Sequence, residues 1–209
     1  MKYLDALIIG AGFSGLYQLH CLRDKLKLNT LVIEEGKDIG GTWYWNTYPG
    51  ARCDSESFTY GFTFSEKIFK NWTWKERYPK QNVILKYLKY FSNKLKLKKN
   101  IVFNEKVISA KYIEKNNLWK IQTNNKKKYY TKYLICAVGS LSSINLPKIK
   151  GINQFKGQLH HSGRWPRKKI NFKNKIVGQV GTGSTGIQIA PEIAKKAKKL
   201  ILFQRSPNF

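Results

Sequence analysis

Ile8-Ile9-Gly10-Ala11-Gly12-Phe13-Ser14-Gly15 decides the fold of this 209-residue chain. The apolar run Leu4 to Gly10 reads as a short strand entering a glycine-rich turn. From Phe13 to about Leu26 a helical pattern runs through Leu16, Leu19, His20 and Leu22, and Thr30 to Glu34 reads as a second buried strand. Together they form a βαβ unit around a G-x-G-x-x-G turn. In such a turn Gly10 permits the tight bend, Gly12 lets the backbone approach a pyrophosphate, and Gly15 allows helix and strand to pack closely. The helix amides that follow Gly12, beginning with Phe13 and Ser14, face the phosphates. An acid ending the second strand hydrogen-bonds a ribose 2′-hydroxyl. Glu34 ends the run Leu31-Val32-Ile33 and is favoured; its neighbour Glu35 leaves the choice open.

The same grammar returns at Gly181-Thr182-Gly183-Ser184-Thr185-Gly186. A strand from Lys175 to Val180 precedes it, a helix from Ser184 to about Lys198 follows, and Leu200 to Gln204 reads as the next strand. Here Arg205 stands where Glu34 stands in the first unit, each 19 positions after the last glycine. An arginine at that place accepts a 2′-phosphate, and Ser206 adds a hydroxyl. Thr182, Ser184 and Thr185 offer hydroxyls to the pyrophosphate. The chain is thus read as built for two dinucleotides, FAD or NAD in the first unit and NADPH in the second.

Between the two units, Ile84, Leu88, Phe91 and Leu95 form one helical stripe, and Ile101 to Phe103 a short strand. Lys106 to Ile113, Leu118 to Thr123 and Lys128 to Cys136 read as strands separated by turns at Asn116-Asn117 and Asn124-Asn125. Gly139 to Pro147 suits a linker. The expected fold class is α/β, with two Rossmann-like dinucleotide-binding domains, the first carrying a β-meander. One βαβ unit is fewer strands than a doubly wound domain needs, so the second domain is expected to be incomplete and the chain to be a fragment.

The formal net charge of +27 raises the prospect of nucleic-acid binding. The charge comes mostly from scattered lysines, however, with only six arginines and no recognisable reading module, and solvated lysine faces are the expected outcome. Cys21, Cys53 and Cys136 show no C-x-x-C pair, which argues against a disulfide framework, a zinc site or a dithiol redox centre. The first strand begins almost at once, leaving no room for a signal peptide. No apolar run approaches about 18 residues. A cytoplasmic location is expected.

Two further stretches stand out. Gly40-Gly41-Thr42-Trp43-Tyr44-Trp45-Asn46-Thr47-Tyr48-Pro49-Gly50-Ala51-Arg52-Cys53-Asp54 combines glycines, aromatics and one acid that reads as buried. Residue types alone leave it open between an Ω-loop stapled by aromatic packing and a functional loop. Phe155-Lys156-Gly157-Gln158-Leu159-His160-His161-Ser162-Gly163-Arg164-Trp165-Pro166 places aromatics, glycine and histidine between the two units.

At these residues the chain resembles the Baeyer–Villiger monooxygenases, over essentially its whole length. Phe155, Gly157, His161, Trp165 and Pro166 match the pattern F-x-G-x-x-x-H-x-x-x-W-P, which in that family lies between two G-x-G-x-x-G turns. Gly41, Trp43, Tyr48, Pro49, Gly50 and Asp54 match a second signature, and Ala137-Val138-Gly139 resembles the small-residue link at the domain junction. The resemblance implies an FAD domain over residues 1–140, a linker over 141–170 and the first unit of an NADPH domain over 171–209. It implies an enzyme in which NADPH reduces the flavin and one oxygen of O2 enters a ketone to give an ester or lactone. The cofactor carries that chemistry, and the protein supplies geometry and electrostatics.

Carried over by resemblance, Ser14, Glu34, Trp43, Tyr60 and Val107 would contact FAD, with Gly41 and Thr42 in the same site. Arg52-Cys53-Asp54 would line the nicotinamide side, and Gln188, Arg205 and Ser206 would serve the second nucleotide. His161 would couple domain motion to turnover. Asp54 would pair with the family's catalytic arginine, which lies downstream of Phe209, so these residues alone are expected to show no oxygenase turnover. N- or S-oxygenating flavin monooxygenases share both turns and are the nearest rival; a non-catalytic nucleotide-binding fragment is the other.

Overall fold

The computed structural model describes residues 2–207 and groups them into two compact units. The first holds the segment up to Trp45 together with Leu85–Ser142; the second holds Asn46–Ile84 and the segment from Ser143 onward.

In the first unit, β1 (Lys2–Ile9) leads into α1 (Phe13–Leu19) and β2 (Thr30–Ile33). The helical turn α2 (Thr42–Trp45) closes the first segment. After Leu85 come the body of a longer helix, the short β3 (Ile101–Val102), and the strands β4 (Val107–Ile113), β5 (Leu118–Thr123) and β6 (Lys128–Cys136). The sheet order is β3-β2-β1-β6-β5-β4. β1 pairs in parallel with both β2 and β6, and β5 and β4 continue the sheet antiparallel as the expected meander. A strand flanked on both sides by parallel neighbours is covered on both faces, and Ala6, Leu7 and Ile8 are accordingly buried. Leu4, Leu7, Leu31, Ile33, Ile121 and Tyr129 form one core, with Val107 packed against it.

The helix after the first turn departs from expectation. α1 stops at Leu19, and His20–Lys25 widens into a π turn. That turn brings the Arg23 guanidinium to the carbonyls of Leu95 at 2.7 Å and Lys96 at 3.2 Å, and to Asn100 Oδ1 at 3.0 Å. Arg23 thereby satisfies carbonyls that the end of a helix leaves without partners. Asp24 holds Arg23 in place at 2.7 Å and also takes His20 Nδ1 at 2.8 Å.

The helix that carries the apolar stripe, Gln81–Lys94, crosses the division between the units; α3 (Glu66–Lys70) precedes it and it is α4 here. Ile84, Leu88 and Phe91 are buried, as the stripe predicts. In the second unit, β7 (Ile176–Val180), α5 (Ser184–Ala194) and β8 (Lys199–Phe203) form the second βαβ motif, with β7 and β8 parallel. α5 is four residues shorter than the pattern predicts. The chain leaves the helix so that the Lys198 N–H can donate to Lys175 O at 2.9 Å and start β8. Among the described residues no helix is long and apolar enough to cross a membrane, and no group of His, Cys, Asp and Glu could hold a metal ion.

A buried polar pair stitches the meander to the first βαβ unit. Tyr129 Oη donates to Glu105 Oε1 at 2.9 Å, Lys127 Nζ lies 2.7 Å from Glu105 Oε2, and the Glu105 N–H donates to Glu34 O at 3.0 Å. Burial alone would raise the Glu105 carboxyl, but Lys127 and Tyr129 outweigh it and hold it below the ordinary value. Burial and the facing carboxylate push the Tyr129 phenol up to about 12. A phenol raised in the fold contributes stability that is complete below its unfolded value and fades as pH climbs through its folded value. Wild-type stability in urea is therefore expected to fall between about pH 10 and about pH 12. Tyr129→Phe should lose about 2 kcal/mol at neutral pH by stranding a buried carboxylate oxygen, and should flatten that alkaline fall.

Candidate functional site: two dinucleotide turns and a clamped loop

The first turn is closed by its own backbone. Gly10 sits at φ +101°, and a Cβ on Gly15 would lie 1.9 Å from Gly10 O, so neither position tolerates a side chain. The middle glycine is different: a Cβ on Gly12 would meet only Gly41 atoms, the nearest at 3.5 Å, an ordinary contact. The fold itself does not require glycine at 12, which fits a position reserved for a ligand's approach. The second turn repeats the pattern. A Cβ on Gly186 would lie 2.5 Å from Gly181 O, whereas one on Gly183 would meet nothing within 4 Å.

Glu34 is buried and Glu35 exposed, which settles which acid faces inward. Glu34 Oε2 accepts the Ala11 N–H and Oε1 the Gly36 N–H, both at 2.7 Å. Burial raises the Glu34 carboxyl, the two amides work against that, and Glu35 adds to it. The carboxylate thus rests against the turn, with lone pairs left for a hydroxyl. Gly40 and Gly41 complete this corner. The Gly40 N–H donates to Ala11 O at 3.0 Å, and a Cβ on Gly41 would lie 2.9 Å from Gly12 Cα. Trp43 is buried, Thr42 opens α2, and Phe13 lies 6.2 Å from the Tyr87 ring. Ser14 is exposed on the first turn of α1, and Val107 begins β4 two residues after Glu105. The turn Gly10–Gly15, Glu34 and Gly40–Gly41 therefore meet in one corner of the first unit, whereas Val107 packs against the core of the sheet. Tyr60 belongs to the second unit, where its N–H donates to Ser57 O.

The loop 48–54 behaves otherwise than its residue types imply. Asp54 is exposed, not buried, while its neighbour Cys53 is buried. The alternation arises because loop residues dock on α5 through Gln188. Gln188 Oε1 accepts the Tyr48 hydroxyl at 3.0 Å and the Arg52 N–H at 3.1 Å. Its Nε2 donates to Arg52 O at 3.2 Å and to Asp54 Oδ1 at 2.6 Å. Gly50, at φ +80°, allows the approach, since a Cβ there would lie 2.2 Å from Gln188 O. Burial raises the Cys53 thiol, and the Asp54 charge adds to it, so Cys53 stays a protonated, unreactive thiol at neutral pH. A cleft of about 300 Å³ opens beside the loop between Arg52, Lys80 and Glu192.

Thr182 and Thr185 are half-buried in the second turn, Ser184 is exposed at the start of α5, and Arg205 and Ser206 are exposed just beyond β8. His161 is half-buried and stays local: its Nδ1 accepts the Gly163 N–H at 3.1 Å, which puts the imidazole proton on Nε2. Phe155 is exposed with its ring over Gly157, whose Cβ would lie 2.6 Å from that ring. Sequence reasoning missed the amides of Ala11 and Gly36, the Ala137 carbonyl against Gly10, and the part of Tyr48. A glycine two residues after Glu34 was the only signal available for the first of these.

Two parallel βαβ motifs, each with a glycine turn closed on its own carbonyl, define a protein with two dinucleotide sites. Residues 5–209 match the flavin-binding monooxygenase-like family, and the chain belongs to it. Cyclohexanone 1,2-monooxygenase of Acinetobacter sp is 45% identical over 205 residues, 98% of this chain and 38% of that protein. Phenazine N-monooxygenase PhzNO1 of Lysobacter antibioticus is 41% identical over 207 residues, 99% of this chain and 38% of that protein. The solved structure of cyclohexanone monooxygenase from Rhodococcus sp. Phi1 bound to NADP+ superposes with a TM-score of 0.95 at 40% identity, covering 100% of this chain and 39% of that one. The chain thus spans less than half the length of these relatives.

The turn geometry makes a stability prediction. Gly15→Ala should unfold or severely destabilise the protein, whereas Gly12→Ala should melt within a few degrees of wild type. Glu34→Gln turns an amide NH2 onto one of two buried N–H donors, and should cost about 2 kcal/mol in chemical denaturation.

Proposed function

We propose that these residues supply the FAD site and the NADPH-binding turn of a Baeyer–Villiger monooxygenase, which inserts one oxygen of O2 into a ketone to give an ester or lactone. The observation that carries this is the pairing of two glycine turns whose middle glycines contact no crowding protein atom, one backed by a buried carboxylate and the other by an arginine. The relatives support the same reading: a cyclohexanone monooxygenase is among them, and one such enzyme is solved with NADP+.

In this reading Gly10, Gly12, Phe13, Ser14 and Gly15 hold the FAD pyrophosphate, and Glu34 holds the ribose of its adenosine. Gly41, Thr42 and Trp43 flank the flavin, with Val107 on the same unit. Gly181 to Gly186 take the NADPH pyrophosphate, and Arg205 and Ser206 its 2′-phosphate. Arg52, Cys53, Asp54 and Gln188 face the nicotinamide, and His161 serves the motion between domains. FAD supplies the redox chemistry, with NADPH as its reductant. The protein's share is to bind, orient and place charge. The ketone, O2 and a cytoplasmic setting belong to this reading; the free thiols of Cys21, Cys53 and Cys136 fit a reducing compartment. The 41% identity to a phenazine N-monooxygenase favours one second reading, oxygenation of an aromatic nitrogen.

The test is nucleotide binding by the 209 residues. They are expected to retain FAD through a desalting column and to bind NADP+ in preference to NAD+, without forming lactone from cyclohexanone. Gly12→Ala should lose FAD while staying folded. Gly183→Ala should lose NADP+ and keep FAD. Arg205→Ala should cut the preference for NADP+ by about tenfold or more, the worth of a charge-assisted contact. Loss of neither nucleotide in these variants overturns the assignment.

A further inference from the structure

The second glycine turn is held by a side chain that has no counterpart in the first. Two positions before the opening glycine, the first turn has Ile8 and the second has Gln179. Ile8 is fully buried on β1 and apolar. Gln179, on β7, reaches both ends of its turn: its Nε2 donates to Gly181 O at 3.1 Å and to Gly186 O at 3.0 Å. Both partners are carbonyls, which only accept, so the amide nitrogen is the atom that faces them. The gap it spans is wider than in the first turn. A Cβ on Gly15 would lie 1.9 Å from Gly10 O, whereas one on Gly186 would lie 2.5 Å from Gly181 O and 3.1 Å from Gln179 Nε2. The arrangement has a cost. Gln179 Oε1 is buried with no hydrogen-bond partner among the described residues, and a buried acceptor left unpaired is destabilising. Ile8 shows that an apolar residue at this place lets such a turn form, so folding alone does not account for the glutamine.

We propose that Gln179 is a positioning residue that latches the second turn in its nucleotide-binding shape. The proposal rests on the reading of that turn as the site for the NADPH pyrophosphate. By tying Gly181, where β7 ends, to Gly186, in the first turn of α5, the amide fixes where the helix starts relative to the strand. The first N–H groups of α5, which have no acceptor within the helix, then stay aimed over the turn. A turn that holds this shape only part of the time binds its ligand more weakly in proportion. The first turn needs no latch, because helix and strand approach more closely there.

Gln179→Met keeps the length of the side chain and removes both donors. In the 209-residue protein it should retain FAD and keep a urea midpoint close to that of wild type, because the orphaned oxygen goes with the two hydrogen bonds. Its NADP+ affinity by calorimetry should fall about tenfold, the result of a competent turn reduced to about a tenth of its population. A variant that retains FAD and binds NADP+ as tightly as wild type overturns the proposal. A variant that loses FAD together with NADP+ has lost its fold, and wild type then decides. NMR follows the Gln179 side-chain NH2 signal of wild type as NADP+ is added. The signal should move with the affinity found by calorimetry, and one that stays still while NADP+ binds refutes the latch. If wild type binds no NADP+, the nucleotide reading fails instead. Backbone amide exchange at Ser184 and Thr185 then tests the hold on the turn itself, and equal rates in wild type and Gln179→Met refute it.

Discussion

The approach of a helix to the carbonyl that ends the preceding strand is the constraint on which both halves of this protein depend. At Gly15 the space between helix and Gly10 O is too small for one carbon, and at Gly186 the same holds against Gly181 O. Only that closeness lets the helix start where the strand stops, with its free amides over the turn. In the first unit the consequences spread outward. β1 lies between β2 and β6, Gly10 packs against the Ala137 carbonyl at the end of β6, and the Glu34 carboxylate caps the Ala11 amide from the end of β2.

The two buried carboxylates of the first unit follow one rule: each is answered. Glu34 meets two backbone amides, and Glu105 meets Tyr129 and Lys127. Carboxylates left unanswered in such places would cost several kcal/mol. The same need accounts for the π turn after α1, which carries Arg23 to the Leu95 and Lys96 carbonyls. In the second unit the same principle operates at the surface, where one glutamine amide uses all its donors and acceptors on three loop residues.

Much of the fold was legible because its signals are local. Apolar runs of strand length, glycines at fixed offsets and the Asn-Asn turns each report on a few neighbouring residues, and the strands they predict lie where expected. The candidate site was legible in part. Glycine spacing identified both turns, and a charged residue 19 positions later identified the end of each second strand. Whether Asp54 is buried was not legible, because that depends on a contact with Gln188 across 134 residues of chain. The π turn was hidden for the same reason, since Arg23 finds its acceptors more than 70 residues away.

By itself the sequence determined two βαβ units, a meander and the identity of the turn glycines, since backbone sterics and strand periodicity act within each segment. Tertiary structure alone decided between Glu34 and Glu35, exposed Asp54, shortened α5 and tied the loop 48–54 to Gln188 on α5. Those outcomes depend on which distant donor meets which acceptor once segments pack. No pattern of neighbours encodes that pairing, because a hydrogen bond between remote residues leaves no period in the chain.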